Sequence, residues 1–172
     1  MDARELDLTE LLDLDGFAVV AAESDRNKKI RRLTITVTAP AAMCPHCGRA
    51  TAERHACHDR DVVDLPLGGW KTELTVQLFQ FRCDACDKFF TPQHPVLAEG
   101  AHATERFLER LAECATHGDV SAAARFLGVA EKTAERWHYD YVQRQVKNPA
   151  KKLEPIRCLG IDGTENASSA FL

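Results

Sequence analysis

In the stretch "RLTITVTA", Leu33, Ile35 and Val37 alternate with threonines, the period-two pattern of a strand with one buried face. Upstream, "FAVVAA" reads as a partner strand, and the polar "SDRNKK" as the turn that joins the two. A short leucine-rich helical pattern, "LTELLDLDG", precedes them and turns at Gly16. Further along, "DVVDLPLGGWKTELTVQLFQFRC" is strand and turn throughout. Leu65-Pro66 and Gly68-Gly69 mark a turn, and Leu74, Val76 and Leu78 alternate cleanly after it. The apolar phase then slips to Phe79 and Phe81, which predicts either a bulge or a strand end buried on both faces.

The periodicity changes near residue 104. "TERFLERLAECATHG" has Thr104 as N-cap, Phe107, Leu108, Leu111, Cys114 and Ala115 on one face, and Gly118 as the stop. "DVSAAARFLGVAEKTAERWHYDYVQRQV" follows as two helices broken at Gly128, and "KNPAKKLEP" is a linker by composition. The last stretch opens like a buried strand and decays into small polar residues. The expected organisation is α+β: a β-rich segment over residues 1–100, a three-helix domain over 101–147, and a linker with the start of something further over 148–172.

Composition narrows the class. The chain has 172 residues, 45% of them apolar, as globular proteins have. No apolar run approaches the roughly 18–20 residues of a membrane span. The first residues, "MDARELDLTE", are acidic where an export signal is basic and then apolar, so a cytoplasmic location and no membrane partner are expected. The formal net charge is −4, which argues against a generally basic, nucleic-acid-coating protein. Its distribution is uneven: residues 101–152 carry nine Lys/Arg against seven Asp/Glu, residues 1–100 twelve against sixteen, and residues 153–172 one against three. The helical section alone is net positive.

Seven cysteines in a reducing compartment point to metal or catalysis rather than to disulfides. Four fall in two Cys-x-x-Cys pairs, Cys44/Cys47 in "CPHCG" and Cys83/Cys86 in "CDAC", separated by 35 residues. Such turns aim both thiolates at one ion, and two of them complete a tetrahedron for zinc. Pro45 stiffens the first turn, and Gly48 permits the positive φ that a knuckle needs. The spacing leaves room for two or three short strands, the layout of a zinc ribbon with core 40–95. A redox role needs the pair to open a helix in a βαβ setting, which neither pair has. His46, His55, Cys57 and His58 are neighbouring competitors for ligation, and Cys114 and Cys158 read as ordinary buried thiols. Four thiolates leave no open position for water, so one structural zinc ion is expected and no small-molecule substrate.

Ala124, Gly128, Ala134 and Trp137 fall at spacings of four, six and three, which fit a helix-turn-helix. Leu127 and Val129 flank the turn, and residues 104–117 supply a supporting helix. Trp137, Ala134 and Tyr141 are expected to face inward. Lys132, Thr133, Arg136, Tyr139, Gln143 and Arg144 lie on the opposite face, with side chains of the types that reach phosphates and base edges from the major groove of double-stranded DNA. The alternative is a three-helix bundle whose charges are only a solvated face, with Glu131 and Glu135 as helix-stabilising partners.

Taken in order, "CPHCG", "DLPLGGW", "FRCDACDKFFTP", "AARFLGVAEKTAERW" and "CLGID" resemble the N-terminal half of ISL-three type insertion-sequence transposases over roughly residues 8–162. The resemblance implies that the ribbon and helix-turn-helix bind the inverted-repeat ends of an element during transposition, a DNA recombination. It also implies a following ribonuclease-H-like domain whose DDE triad positions two metal ions, with Asp162 as the first triad aspartate. Here Gly163 and "TENASSAFL" follow instead, so the expectation is a truncated, non-catalytic, sequence-specific DNA-binding module. Two alternatives remain beside it: a zinc-ribbon protein-interaction or transcription-regulator module derived from a transposase, homo-oligomeric or not, and an enzyme whose triad a partner completes.

Overall fold

The computed structural model describes residues 7–147. Cys158, Asp162 and the linker expected from residue 148 lie outside the described residues. The mixed α+β content matches expectation. The elements are α1 (Leu8–Leu12), β1 (Phe17–Asp25), β2 (Ile30–Val37), β3 (Ala42–Met43), β4 (Ala50–Thr51), β5 (Arg54–Leu67), β6 (Trp70–Arg82), β7 (Phe89–Phe90), α2 (Glu105–Thr116), α3 (Val120–Leu127) and α4 (Glu131–Lys147).

The main sheet has the order β1-β2-β6-β5, with β7 paired to the end of β6. β1–β2 and β5–β6 are antiparallel hairpins, whereas β2 and β6 run parallel with Leu33 opposite Leu74 and Ile35 opposite Val76. β6 is therefore inserted between two strands that precede it in the chain. The parallel pair also brings the C-terminal ends of β2 and β6 to the same end of the sheet. That end carries both Cys-x-x-Cys turns; the opposite end carries the β1–β2 and β5–β6 turns.

The phase slip in β6 has its cause in the partner strand. Register shifts between Arg54 and Ala56, opposite Gln80 and Phe81, so one extra residue of β5 bulges there. Thr72, Leu74, Val76 and Leu78 share one buried face, and Phe81 is buried from the other. Phe79 is half-buried beneath the Arg54 guanidinium, 3.9 Å from its ring centroid.

Three buried clusters result. Leu33, Ile35, Val62, Leu74, Val76 and Leu78 pack with Leu12, Leu14, Phe17 and Leu97 against one face of the sheet. Phe81, Phe90, Cys44 and Cys83 form a small cluster at the cysteine end. Phe107, Leu108 and Leu111 of α2, Ala123, Ala124 and Leu127 of α3, and Ala134, Trp137 and Tyr141 of α4 form the third. Val63 and Leu65 of β5 pack against that helical cluster.

The helices start and stop for local reasons. Thr104 caps α2, its hydroxyl accepting from Phe107 N–H, and Asp119 caps α3, its carboxylate accepting from Ala122 N–H. α2 ends at His117, one residue before Gly118. α3 ends at Gly128 with φ 72° and ψ 34°, a left-handed cap that suits glycine, and Val129 N–H donates to the Ala124 carbonyl at 3.0 Å. Within the cluster the Phe107 and Trp137 rings meet edge to face at 6.1 Å.

One polar joint ties these parts together. Asp64 of β5 is buried, and its carboxylate accepts from the Thr104 hydroxyl at 2.7 Å and from Arg106 Nε at 2.9 Å. A second guanidinium nitrogen of Arg106 also pairs with this carboxylate. The same guanidinium donates to the Leu12 and Asp13 carbonyls at the end of α1, each at 2.8 Å. Alongside, Ala103 bridges Val63 in parallel, and Arg60 donates to the Ala98 and Ala101 carbonyls.

Candidate metal centre and nucleic-acid interface

The two cysteine turns have the same backbone. Cys44 N–H donates to the Arg49 carbonyl at 2.8 Å and Gly48 N–H to the Cys44 carbonyl at 2.9 Å; Cys83 N–H donates to Lys88 at 2.9 Å and Asp87 N–H to Cys83 at 2.8 Å. Gly48 and Asp87 occupy equivalent places with φ of 71° and 54°. Gly48 is the knuckle residue expected from the sequence; Asp87 was not expected there, although it too stands one residue after the second cysteine of its pair. Its carboxylate is held by Arg82, 2.7 Å away.

The four sulfurs lie within 4.8 Å of one another, with Cys44–Cys86 at 3.7 Å and Cys47–Cys83 at 3.5 Å. Ligands about 2.3 Å from a tetrahedral zinc stand about 3.8 Å apart. The residues present therefore fit one structural zinc ion. Burial pushes the Cys83 thiol up, but the Ala85 and Cys86 backbone N–H groups and the Cys47 and Cys86 sulfurs outweigh it and bring the thiol down to about 7. Cys86 goes the other way, pushed up to about 12 by burial together with the Cys83, Cys44 and Cys47 sulfurs, against the Lys88 N–H.

Among the described residues these cysteines are the one group of three or more His, Cys, Asp or Glu side chains placed to hold a metal. Cys57 and His58 lie along β5 outside it, and the His55 ring packs tilted against Phe89 with centroids 4.5 Å apart. Cys114 is half-buried against the helical core. No described helix is long and apolar enough to cross a membrane.

On α4 the sequence-selected side chains separate. Lys132 and Arg136 are exposed, and Tyr139 is 64% exposed. Thr133 and Gln143 are half-buried. Arg144 turns back toward α2, donating to Glu105 at 2.7 Å with its guanidinium 5.7 Å from the Tyr141 ring. The pair bridges α4 to the start of α2. Glu131 likewise accepts from the Ser121 hydroxyl, linking the starts of α3 and α4. Arg125 and Phe126 of α3 are also exposed, and neither is among the residues expected to face DNA.

A four-thiolate centre on paired knuckles at the end of a β-hairpin defines a zinc-ribbon class of module. Residues 40–86 match the family model for the zinc-finger of transposase IS204/IS1001/IS1096/IS1165. No curated protein and no solved structure gives a significant match to the chain.

Proposed function

We propose that the chain is the DNA-binding part of a transposase, in which a zinc-pinned sheet supports a helix-turn-helix formed by α3 and α4. The observation that carries this reading is the two-sidedness of α4. Ala134, Trp137 and Tyr141 are buried against α2 and α3, while Lys132, Arg136 and Tyr139 are open to solvent after a left-handed glycine turn. Side chains of these types on an open helix face suit phosphates and base edges in a major groove. The family match at residues 40–86 supports the transposase origin, and the resemblance of the later motifs extends it to element ends. The three divisions at 1–100, 101–147 and 148–172 belong to this proposal, as does a role in binding rather than strand chemistry.

Selection of bound duplexes from a random pool tests it. Enrichment of a motif, lost in Lys132→Gln/Arg136→Gln, is expected; an unenriched pool with salt-insensitive affinity would overturn the reading. A second reading, the ribbon as a protein-docking module, is favoured by an apolar groove of about 580 Å³ lined by Val37, Met43, Phe79, Phe81 and Phe90. Partner binding there would survive the same pair of substitutions.

A further inference from the structure

The turn between β1 and β2 and the first residues of β2 carry the sequence "RNKKIRR" at residues 26–32: five cations, three of them in the turn itself, and no acid. These are five of the twelve Lys/Arg in the first 100 residues, which leaves seven against sixteen acids elsewhere in that span. The acidic average of the N-terminal segment conceals a strongly basic tip.

Arg26, Lys28, Lys29 and Arg32 are exposed. Among the described residues only Arg32 of this group has a carboxylate partner, Glu73 at 3.2 Å, which it shares with Lys71. Asp25, the nearest acid in sequence, is engaged by the turn itself, its carboxylate accepting from the Asn27 and Lys28 N–H groups. Arg31 stacks its guanidinium 5.2 Å from the Trp70 ring. Like charges packed on one short turn repel unless an anion lies against them.

The position of this tip gives the anion. Lys71 N–H donates to the Lys29 carbonyl at 3.1 Å, so β6 starts directly beside the turn. The aliphatic stem of Lys71 lies against Gly128, where a methyl group would sit 3.9 Å from its Cδ. On its buried side α4 meets the same strands, Trp137 sharing a cleft with Arg32 of β2 and with Glu73 and Thr75 of β6. One strand neighbour and one side-chain contact, both through Lys71, thus separate the basic tip from the turn that opens α4, a separation on the order of the ~12 Å width of a major groove. A duplex that takes α4 in its groove would lay a flanking row of phosphates over residues 26–32.

We infer that the β1–β2 turn is a second contact surface for double-stranded DNA, one that grips backbone phosphates beside the groove occupied by α4 and carries no base preference. The inference rests on the DNA-binding reading above and specifies where a sequence-independent share of affinity comes from.

The test uses the full zinc-loaded chain and two duplexes, the enriched sequence and a scrambled one, titrated across salt. In Arg26→Gln/Lys28→Gln/Lys29→Gln, the slope of log affinity against log salt should become shallower by about 2–3, at ~0.9 for each phosphate no longer neutralised. Both duplexes should lose affinity by the same factor, and the preference for the enriched one should persist. The double variant Arg26→Gln/Lys28→Gln, which spares the positive-φ Lys29, should make the slope shallower by about 1.8 on the same basis. Unchanged zinc content and circular dichroism verify folding. Slopes equal to the parent's in both variants would overturn the turn contact alone, provided that Lys132→Gln/Arg136→Gln abolishes preference. A parent that binds no duplex in a salt-dependent way overturns both readings. Binding of single-stranded RNA in place of duplex, with the same loss of slope, would overturn the choice of partner.

Discussion

Arg106→Ala tests the joint between α1, β5 and α2. The Asp64 side chain is 1% exposed and that of Arg106 31% exposed. The substitution leaves a buried carboxylate with the Thr104 hydroxyl as its remaining partner, and frees the Leu12 and Asp13 carbonyls. Removing one member of a buried pair costs about 3–5 kcal/mol, because the surviving charge stays desolvated. Arg106 is partly wetted, so water can follow it in, and the lower end, about 3 kcal/mol, is expected. At ~3 °C per kcal/mol for a chain of this size, the midpoint of thermal unfolding falls by about 9 °C. Urea unfolding of the zinc-loaded protein gives the free energy directly. Arg106→Lys keeps the charge but not the planar fork, and should recover about half. Arg110→Ala, which breaks an exposed pair with Glu113, should cost no more than about 0.5 kcal/mol. Limited proteolysis adds a local readout, with faster cleavage between α1 and β1 in Arg106→Ala. Equal stability losses in the Arg106 and Arg110 variants would refute the account of the joint.

Stripping zinc with a strong chelator should open the Phe81–Phe90 cluster and raise binding of a hydrophobic dye, while tryptophan emission barely moves, since neither Trp70 nor Trp137 lies in that cluster. A concerted shift of both signals would contradict separate clusters. Protons compete with zinc for the thiolates. With the Cys86 thiol pushed up to about 12, at least one proton leaves on binding near neutrality, so affinity should fall about tenfold or more per unit as pH drops from 8 to 6. Competition with a chelator of known affinity measures it. Gly128→Ala should cost about 1 kcal/mol through its left-handed backbone alone, since the added methyl makes only ordinary contact with Lys71. Arg144→Ala should lower stability by roughly 0.5–1 kcal/mol, discounted for an ion pair more than a third exposed, and should change DNA affinity less than Lys132→Ala does.

The zinc ligands were legible because the chemistry demands a fixed local spacing, and Cys44, Cys47, Cys83 and Cys86 display it in the chain. Thr104 and Gly128 were legible for the same reason, since a cap is a local event. The Asp64–Arg106 joint was not: the partners are 42 residues apart, and each reads alone as an ordinary polar position on a strand or a helix. The pairing of Arg144 with Glu105 was not legible either, because a long side chain at the edge of a helix face can turn either way. The parallel pairing of β2 with β6 was hidden too, since two hairpins in sequence give no sign that one will insert against the other. The basic tip at residues 26–32 was present in plain letters and was masked by averaging charge over a segment a hundred residues long.

That inserted strand fixes an order of assembly. β2 and β5 flank β6 in space yet are both synthesised before it. Until Trp70–Arg82 leaves the ribosome, the nascent chain holds two strands whose inner edges have nothing between them, and unpaired edges invite association with other chains. The same residues deliver Cys83 and Cys86 just behind them, so metal capture cannot be completed before β6 itself has been made. The ion is thus the last part of the fold to be added, and zinc starvation should leave newly made chains with the sheet closed and the Phe81–Phe90 end open.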